Sequence, residues 1–313
     1  MVLISQELQI GKNIFKWGSR TYTMGILNIT PDSFSGDGIL SSRLSFGESN
    51  GSSPGDTLET AIVLAQRFAE TGVDILDIGG ESTRPGSEQI DIEEEMERVI
   101  PIISWIKREI DVPVSIDTYK AEVAREALNA GADIVNDIWG LKADKDMASV
   151  IAEFEVPVIL MHNRSSWAHA DIQKNLGGRY IGLEYQDLIE DIKWELLESI
   201  SIASNAGIPG KNIIIDPGIG FGKTVEQNLE LINNIDKIRE LGYPVLFGPS
   251  RKSFIGYTLD LAPGERIEGT AAAIAIGIDR GVDIIRIHDV EFMLRVARMS
   301  DAIVRKNPFI TLE

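Results

Sequence analysis

The chain has 313 residues, of which 43% are hydrophobic and 25% charged, so it contains enough apolar residues for a large globular core. Its 30 lysines and arginines against 48 aspartates and glutamates give a formal net charge of −18 at pH 7. This charge disfavours nucleic acid and anionic membranes as partners, although a few local cations can still bind a small anion. The lack of cysteine excludes disulfides, thiolate nucleophiles and cysteine-ligated zinc.

The beginning of the chain has no basic segment followed by a continuous apolar stretch, and no apolar run in the sequence reaches about 18 residues. We therefore expect a cytoplasmic protein without a membrane partner. Residues 14–22 alternate around Gly18 and Ser19 in the manner of a β-hairpin. We expect residues 1–21 to form a hairpin extension that caps the bottom of the fold.

From residue 22 onward, short β-branched segments alternate with segments of helical periodicity. Between residues 90 and 110, for example, Ile92, Met96, Val99 and Ile103 recur at intervals of three or four and form one apolar face. Eight strands are predicted, at residues 22–30, 74–80, 112–118, 134–139, 156–163, 213–220, 244–250 and 284–289.

Eight strand–helix units predict an α/β fold of the (β/α)8 TIM-barrel type, with a doubly wound open sheet as the second possibility. No linker divides the chain, so residues 1–313 are predicted to form a single barrel domain. Residues 37–55 are rich in glycine and serine and predict a long loop within the first strand–helix connection.

In such barrels the catalytic groups lie at the carboxyl ends of the strands. Polar residues follow every predicted strand: Asn28, Thr30 and Asp32; Glu81 to Arg84; Asp117; Asn136 and Asp137; His162 and Asn163; Asp216; Ser250 to Lys252; Arg286 and His288. Single members such as Asp32, Ser82 or Asp137 are explained equally well as turn or cap residues. Arg84, Lys252, Arg286 and His288 are not capping residues, and four potential cations on one rim of an acidic protein indicate an anion site, with phosphate the favoured anion.

Asp117, Asn136 and Asp216 offer acceptors and one amide that also donates, which suits the edge of a flat heterocycle. A metal cluster is the competing interpretation, although the sequence contains neither H-E-x-x-H nor EF-hand spacing. The glycine-rich residues 218–224 fit neither a Walker loop nor a dinucleotide fingerprint, because Pro217 and Lys223 stand where glycine is required. Ser250 lacks the closing glycine of a nucleophile elbow, so acyl hydrolysis has little support.

Seven motifs, in the same order along the chain, closely resemble those of the dihydropteroate synthase family. They lie at residues 25–35, 77–86, 115–118, 136–138, 216–224, 250–256 and 286–289. The resemblance implies a TIM-barrel transferase of folate biosynthesis, the target of sulfonamides. Such an enzyme joins 6-hydroxymethyl-7,8-dihydropterin pyrophosphate to p-aminobenzoate and releases pyrophosphate and 7,8-dihydropteroate.

Matched position by position, the resemblance implies three subsites and a metal ion. The pterin would contact Asp117, Asn136, Met161, Asp216 and Lys252. The p-aminobenzoate would contact Phe34, Thr83, Arg84, Pro85, Phe221 and Ser250. The diphosphate would bind Asn28, Arg286 and His288, with Mg²⁺ bridging it to Asn28, and the catalytic residues would be Asp117, Lys252, Arg286 and His288. The resemblance also implies a homodimer formed through the last helices.

Trp139 and the Asn163–Arg164 pair depart from the family's usual residues, which leaves the conformation of those loops open. The expected mechanism is SN1-like, because the carbon that loses pyrophosphate is conjugated to an electron-rich dihydropterin. Asp117 is the best candidate for stabilising the developing cation. An arylamine is uncharged at pH 7 and needs no strong base.

Two alternatives remain open from the sequence. A methyltetrahydrofolate:corrinoid methyltransferase would share the pterin-edge residues but has no reason to keep the sequences around Phe34 and Lys252. A non-catalytic pterin-binding protein would be expected to lose the diphosphate residues Asn28, Arg286 and His288 first, yet all three are present.

Overall fold

The computed structural model describes residues 4–30, 54–83, 87, 89–165, 170–173, 176–180 and 184–305. Among these residues no helix is both long enough and apolar enough to cross a bilayer. The predicted residues Phe34, Arg84 and Pro85 lie outside the described ranges.

The chain begins with an antiparallel hairpin of β1 (Glu7–Ile10) and β2 (Asn13–Lys16), in which Leu8 pairs with Phe15. A hairpin was correctly expected here, but its predicted turn was wrong. The chain reverses at Gly11, whose φ of +57° suits glycine, and not at Gly18 and Ser19. Residues 17–21 instead lead into the first barrel strand, and the Ser19 N–H donates to the Lys16 carbonyl at 3.2 Å.

Eight parallel strands form the barrel, and all eight predicted strands are confirmed. They are β3 (Tyr22–Asn28), β4 (Ile75–Gly79), β5 (Val114–Asp117), β6 (Ile134–Asp137), β7 (Val158–Met161), β10 (Ile213–Asp216), β11 (Leu246–Phe247) and β12 (Ile284–Ile287). Their order is β10-β7-β6-β5-β4-β3-β12-β11, and the barrel closes where the Ile215 N–H donates to the Pro244 carbonyl at 3.0 Å. All eight strands are shorter than predicted, mainly because the polar residues after their carboxyl ends do not pair with neighbouring strands.

Between β7 and β10 the structure adds a second hairpin, β8 (Ala170–Gln173) with β9 (Gly177–Tyr180), which the sequence did not reveal because these segments lack apolar alternation. The helices are α1 (Pro54–Thr71), α2 (Ile92–Glu109), α3 (Ala121–Asn129), α4 (Met147–Phe154), α5 (Leu188–Asn205), α6 (Val225–Asn233), α7 (Ile235–Arg239), α8 (Ser253–Leu259), α9 (Ile267–Asp279) and α10 (Val290–Val304). Because α1 begins at Pro54, the predicted loop of residues 37–55 ends earlier than expected, and the remainder of it lies outside the described residues.

The core has two parts, as expected for a barrel. The larger part lies between the strands and the surrounding helices and includes Val114 and Ile116 of β5. The smaller part fills the lower barrel interior and consists of Met24, Ile75, Ile134, Ile159, Ile214, Leu246 and Ile284 with Leu8, Ile10, Phe15, Trp17 and Tyr22. Side chains of the hairpin therefore close the bottom of the barrel, which confirms the predicted cap.

Candidate active site

The barrel interior changes from apolar to polar over a single two-residue step along the strands. Ile75, Ile134, Ile214 and Ile284 belong to the lower interior layer, and two residues further along the same strands stand Asp77, Asn136, Asp216 and Arg286. On β7 the corresponding residue, two beyond Ile159, is the apolar Met161. Residues i and i+2 of a strand lie on the same face. The packed isoleucines therefore fix the positions of the polar side chains above them.

Arg286 lies between two carboxylates. Its Nε donates to Asp77 and its Nη2 donates to Asp117. Asp77 also accepts a hydrogen bond from Asn136 Nδ2 at 3.3 Å. Burial lowers the pKa of Arg286, but the two carboxylates outweigh burial and raise this pKa above its ordinary value. The guanidinium is therefore permanently charged and held in one place.

Asp77 was assigned no role from the sequence. It is fully buried in β4 and connects Arg286 to Asn136. The signal that could have found it is a single carboxylate inside the apolar run from Ile75 to Ile78, because a buried charge needs a partner.

Asp117 stands at the end of β5, and strand β4 separates it from Asn28 at the end of β3. Burial raises the pKa of Asp117 to about 7, while the charge of Arg286 acts in the opposite direction. Gly79 pairs with both Asn28 and Asp117 across the sheet. A Cβ atom at Gly79 would lie 3.5 Å from Asn28 Oδ1 and 3.7 Å from an Asp117 carboxylate oxygen. The glycine therefore lies between the side-chain oxygens of Asn28 and Asp117.

On the opposite side of the barrel, Asp216 and Lys252 enclose the turn that follows β10. The Asp216 carboxylate accepts the Gly218 N–H at 2.7 Å, and Lys252 Nζ donates to the Ile219 carbonyl. Lys252 Nζ also lies 4.5 Å from the centroid of the Phe221 ring. Burial lowers the pKa of Lys252 to about 8, and the Asp216 charge partly offsets that effect.

Ser250 and His288 are joined at the ends of β11 and β12. Ser250 Oγ lies 3.1 Å from His288 Nδ1 and accepts the His288 backbone N–H at 3.1 Å. The adjacent Arg251 forms a two-point ion pair with Asp289, with N···O distances of 2.9 and 2.6 Å. These contacts attach the turn that contains Lys252 to the end of β12.

The structure thus brings the predicted residues together in three groups: Asp117, Asn136 and Arg286 around Asp77; Asp216, Lys252 and Phe221; and Ser250 with His288. Met161 is buried at the end of β7, and Thr83 is half-buried after β4. The predicted group of cations is only partly formed in the described residues, since Arg286 is already shared by two carboxylates and Arg84 lies outside the described ranges.

Asp137 is a turn residue, as one of the two sequence interpretations held. Its carboxylate accepts the Trp139 and Leu141 N–H groups, each at 2.8 Å. The Asn163 side chain donates to the Ile138 carbonyl at 3.0 Å. This hydrogen bond joins the two loops whose residues differ from the family's usual ones. These contacts fix the described residues of both loops.

Comparison with known proteins agrees with this geometry. The sequence pattern of the pterin binding enzyme family matches residues 24–288. The dihydropteroate synthase of Clostridium beijerinckii is 50% identical over 300 residues, which cover 96% of this chain and 100% of that protein. This chain belongs to the dihydropteroate synthase family. Within the family, the Bacillus subtilis enzyme is 47% identical over 302 residues, covering 96% of this chain and 95% of that one.

Solved structures of family members share the fold. The Clostridium difficile dihydropteroate synthase, determined in the presence of pteroic acid, superposes with a TM-score of 0.79 at 46% identity, covering 93% of this chain and 99% of that one. The Xanthomonas albilineans enzyme with 4-aminobenzoic acid gives a TM-score of 0.81 at 36% identity, covering 96% and 98% of the two chains. The expected TIM barrel is therefore confirmed, and the doubly wound sheet is excluded.

Proposed function

We propose that the chain condenses 6-hydroxymethyl-7,8-dihydropterin pyrophosphate with p-aminobenzoate to give 7,8-dihydropteroate and pyrophosphate. The observation that carries the proposal is the polar layer above the interior isoleucines, in a chain that is 50% identical to a dihydropteroate synthase over nearly its whole length. A structure of the Xanthomonas albilineans relative in complex with 7,8-dihydropteroate supports the same product.

The pterin would lie on the polar layer. Its ring offers a row of donors and acceptors, and Asp216, Asn136 and Lys252 offer complementary groups on three different strands or turns. The buried Met161 would supply an apolar face. Polar side chains on separate rigid strands fix the orientation of such a ligand better than a flexible loop does.

The diphosphate would lie toward Asn28, Arg286 and His288. Arg286 is already paired with Asp77 and Asp117, so it does not by itself neutralise an incoming diphosphate. The described residues contain no group of three or more histidine or acidic side chains able to hold a metal ion. The amide oxygen of Asn28 nevertheless fits Mg²⁺, which takes hard oxygen ligands and is held in many enzymes by one or two protein oxygens plus substrate phosphates. Mg²⁺ bound with the substrate would neutralise the leaving group.

Asp117 would act on the carbon. As the C–O bond to pyrophosphate breaks, positive charge develops on the methylene group, and a carboxylate fixed nearby stabilises it. The same Arg286 that holds Asp117 favours its ionised form. The arylamine nitrogen then forms the C–N bond and loses a proton to solvent.

The p-aminobenzoate would bind against Phe221, Ser250 and the loops that carry Thr83, Arg84, Pro85 and Phe34. In the described part of the chain, Phe221 lies beside Lys252. Ser250 follows β11 and precedes Lys252 by two residues. Phe221 would therefore join the arylamine subsite to the pterin subsite.

A homodimer is the proposed assembly. Phe292, Met299 and Ile303 of α10 are exposed to between 48% and 66% and recur at intervals of seven and four, so they share one helix face. An exposed apolar face of this kind is typical of an interface. Sedimentation as a monomer at micromolar concentration would contradict it.

The single domain over residues 1–313 and the cytoplasmic location stay predictions of the sequence.

In the direct test, the purified protein is mixed with the dihydropterin pyrophosphate, p-aminobenzoate and Mg²⁺, and the 7,8-dihydropteroate formed is measured by mass spectrometry. We expect product and pyrophosphate in equal amounts. Methyl transfer from methyltetrahydrofolate to a corrinoid, or pterin binding without product, would overturn the proposal in favour of one of the two alternatives.

A further inference from the structure

The turn that follows β10, residues 217–223, is held from two sides by two lysines. Lys252 donates to the Ile219 carbonyl from the side of the candidate site. Lys223 is 3% exposed, and its Nζ donates to the carbonyls of Gly218 at 2.8 Å and Phe221 at 3.0 Å. Both bonded carbonyls belong to the segment that presents the Phe221 ring.

The third partner of Lys223 is a histidine. Lys223 Nζ lies 3.0 Å from His162 Nδ1, in the loop after β7. Burial lowers the pKa of Lys223 to about 7, while the charge of Asp216 acts in the opposite direction. In its ammonium form Lys223 has three donors and no acceptor, so His162 Nδ1 then carries the lone pair and the proton lies on Nε2. Burial and the charge of Lys223 lower the pKa of His162 to about 3, which keeps the ring neutral. Lys223 therefore has an acceptor for each of its three N–H groups.

The ion pair between Glu195 and Arg164 lies beside the histidine. Glu195 Oε2 lies 3.1 Å from His162 Nε2, although it is out of line for a good hydrogen bond. Glu195 Oε1 accepts from Arg164 Nε at 2.6 Å. Burial raises the pKa of Glu195, but the contacts with His162 and Arg164 outweigh it and bring this pKa to about 2. A permanent carboxylate thus faces Nε2 and favours the tautomer that leaves Nδ1 free to accept.

The two loops are also in close backbone contact. Gly218 has a φ of +70°, and a Cβ atom there would lie 1.8 Å from the His162 carbonyl oxygen. Gly222 has a φ of +64°, and a Cβ atom there would lie 2.5 Å from the Arg164 carbonyl carbon. These approaches leave the turn little freedom as long as Lys223 bonds it to the β7 loop.

We propose that Lys223, with His162 as its acceptor, is a positioning residue that sets the orientation of Phe221 and thereby the affinity of the site for the arylamine. The inference rests on the proposed function. The pterin side depends on Lys223 less, because Asp216 is fixed by strand β10 and its carbonyl accepts the His162 N–H at 2.9 Å. Loss of Lys223 should therefore affect the two substrates unequally.

The first test compares Lys223→Met with the matched control Lys107→Met. Lys107 bonds to Asp133 at 2.7 Å just before β6, at the opposite end of the barrel. Loss of donors to two buried carbonyls and one imidazole should raise the KM for p-aminobenzoate by at least about tenfold in Lys223→Met, with the dissociation constant of the pterin substrate changed less than about threefold. The control should change neither value. Equal weakening of both substrates, or an unchanged KM, would overturn the inference.

The second test uses a pair of histidine variants and decides the matter if Lys223→Met does not fold. In His162→Asn the side-chain oxygen can replace Nδ1 as acceptor, whereas in His162→Gln the amide reaches the position of Nε2 instead. We expect His162→Asn to keep a KM for p-aminobenzoate close to that of the wild type and His162→Gln to raise it. Equal damage in both variants would overturn the inference. A wild type that forms no product would instead overturn the proposed function.

Discussion

The two ends of the barrel bury side chains to a similar degree but use them for opposite purposes. At the bottom, aromatic rings of the hairpin and β3 pack together, with 4.6 Å between the ring centroids of Phe15 and Tyr22 and 5.7 Å between those of Trp17 and Tyr22. Above these rings lie the interior isoleucines, and two residues beyond the isoleucines the interior contains Asp77, Asp216 and Arg286. The same strands thus pass from an apolar layer into a charged one.

The difference shows where folding stability and binding are located in this protein. The lower layer removes apolar surface from water, which stabilises the fold. The upper layer holds charges that are costly to bury, and the raised pKa of Asp117 reports this cost. Such a layer persists because the lower one holds it in place, and it leaves polar groups arranged for a ligand.

The largest effect on stability should come from the lower layer. Phe15→Ala removes a ring that is 2% exposed, so the free energy of unfolding should fall by about 3–5 kcal/mol. Chemical denaturation measures this loss, and calorimetry should show nearly unchanged pterin affinity below the unfolding transition. Ile14→Ala, at the neighbouring hairpin side chain that is 57% exposed, is the control. An equal loss in both variants would mean that the hairpin does not contribute to the core.

The opposite result is expected for Asp117→Asn in the upper layer. The amide keeps the shape of the side chain but lacks the negative charge that the cationic carbon requires, so kcat should fall by about 100-fold while pterin affinity changes little. Steady-state kinetics and calorimetry separate the two quantities. Unchanged turnover would remove the electrostatic role of Asp117.

The same variant gives a pH test of the buried charge. The pKa of Asp117 is about 7 in the folded state and 3.8 ordinarily, so the folded state binds the proton more tightly. The wild type therefore loses stability as the pH rises from about 4 to about 7, relative to a variant that cannot ionise. The Tm of Asp117→Asn should equal that of the wild type near pH 4 and exceed it near pH 8. A constant difference in Tm would show that Asp117 is not a costly buried charge.

The sequence predicted the strands well, and it located the polar residues at their carboxyl ends, because both depend on local patterns. Alternation of apolar and polar residues, together with β-branched residues, indicates a strand. Polar residues at the carboxyl end of a barrel strand indicate a ligand site. The role of Asp77 was missed because its partners Arg286 and Asn136 are distant in sequence. The lone carboxylate in an apolar run indicates that a buried partner is needed, but the local sequence does not show which residue that partner is.

The hairpin turn and Lys223 were missed for a different reason. Both Gly11 and Gly18 have a positive φ, so the chain can turn at either, and pairing of Leu8 with Phe15 over the barrel decides between them. Lys223 was considered only as a failed phosphate-loop residue, yet it bonds inward to the β7 loop. In both cases tertiary packing selects one of several conformations that the local sequence permits.

A smaller effect is expected for the residues assigned to the pterin edge. Lys252→Ala and Asp216→Asn should each weaken the binding of a pterin analogue by more than about 1 kcal/mol, because each leaves a buried polar partner unsatisfied. Calorimetry with the analogue measures the loss, and the Lys107→Met variant serves again as a control. Unchanged affinity in both variants would mean that the pterin ring lies elsewhere in the barrel.

The smallest expected effect tests whether the two layers are independent. Ile134 of β6 is fully buried in the lower layer, two residues before Asn136 and on the same face. Ile134→Val removes one methyl group and should lower the free energy of unfolding by about 0.5–1.5 kcal/mol without moving the strand, since a cavity of this size relaxes only partly. Denaturation and the KM for the pterin substrate are the two readouts, and only the first should change. If the KM for the pterin rose as in Asp216→Asn, the lower layer would be setting the position of Asn136 so finely that one methyl group alters substrate binding.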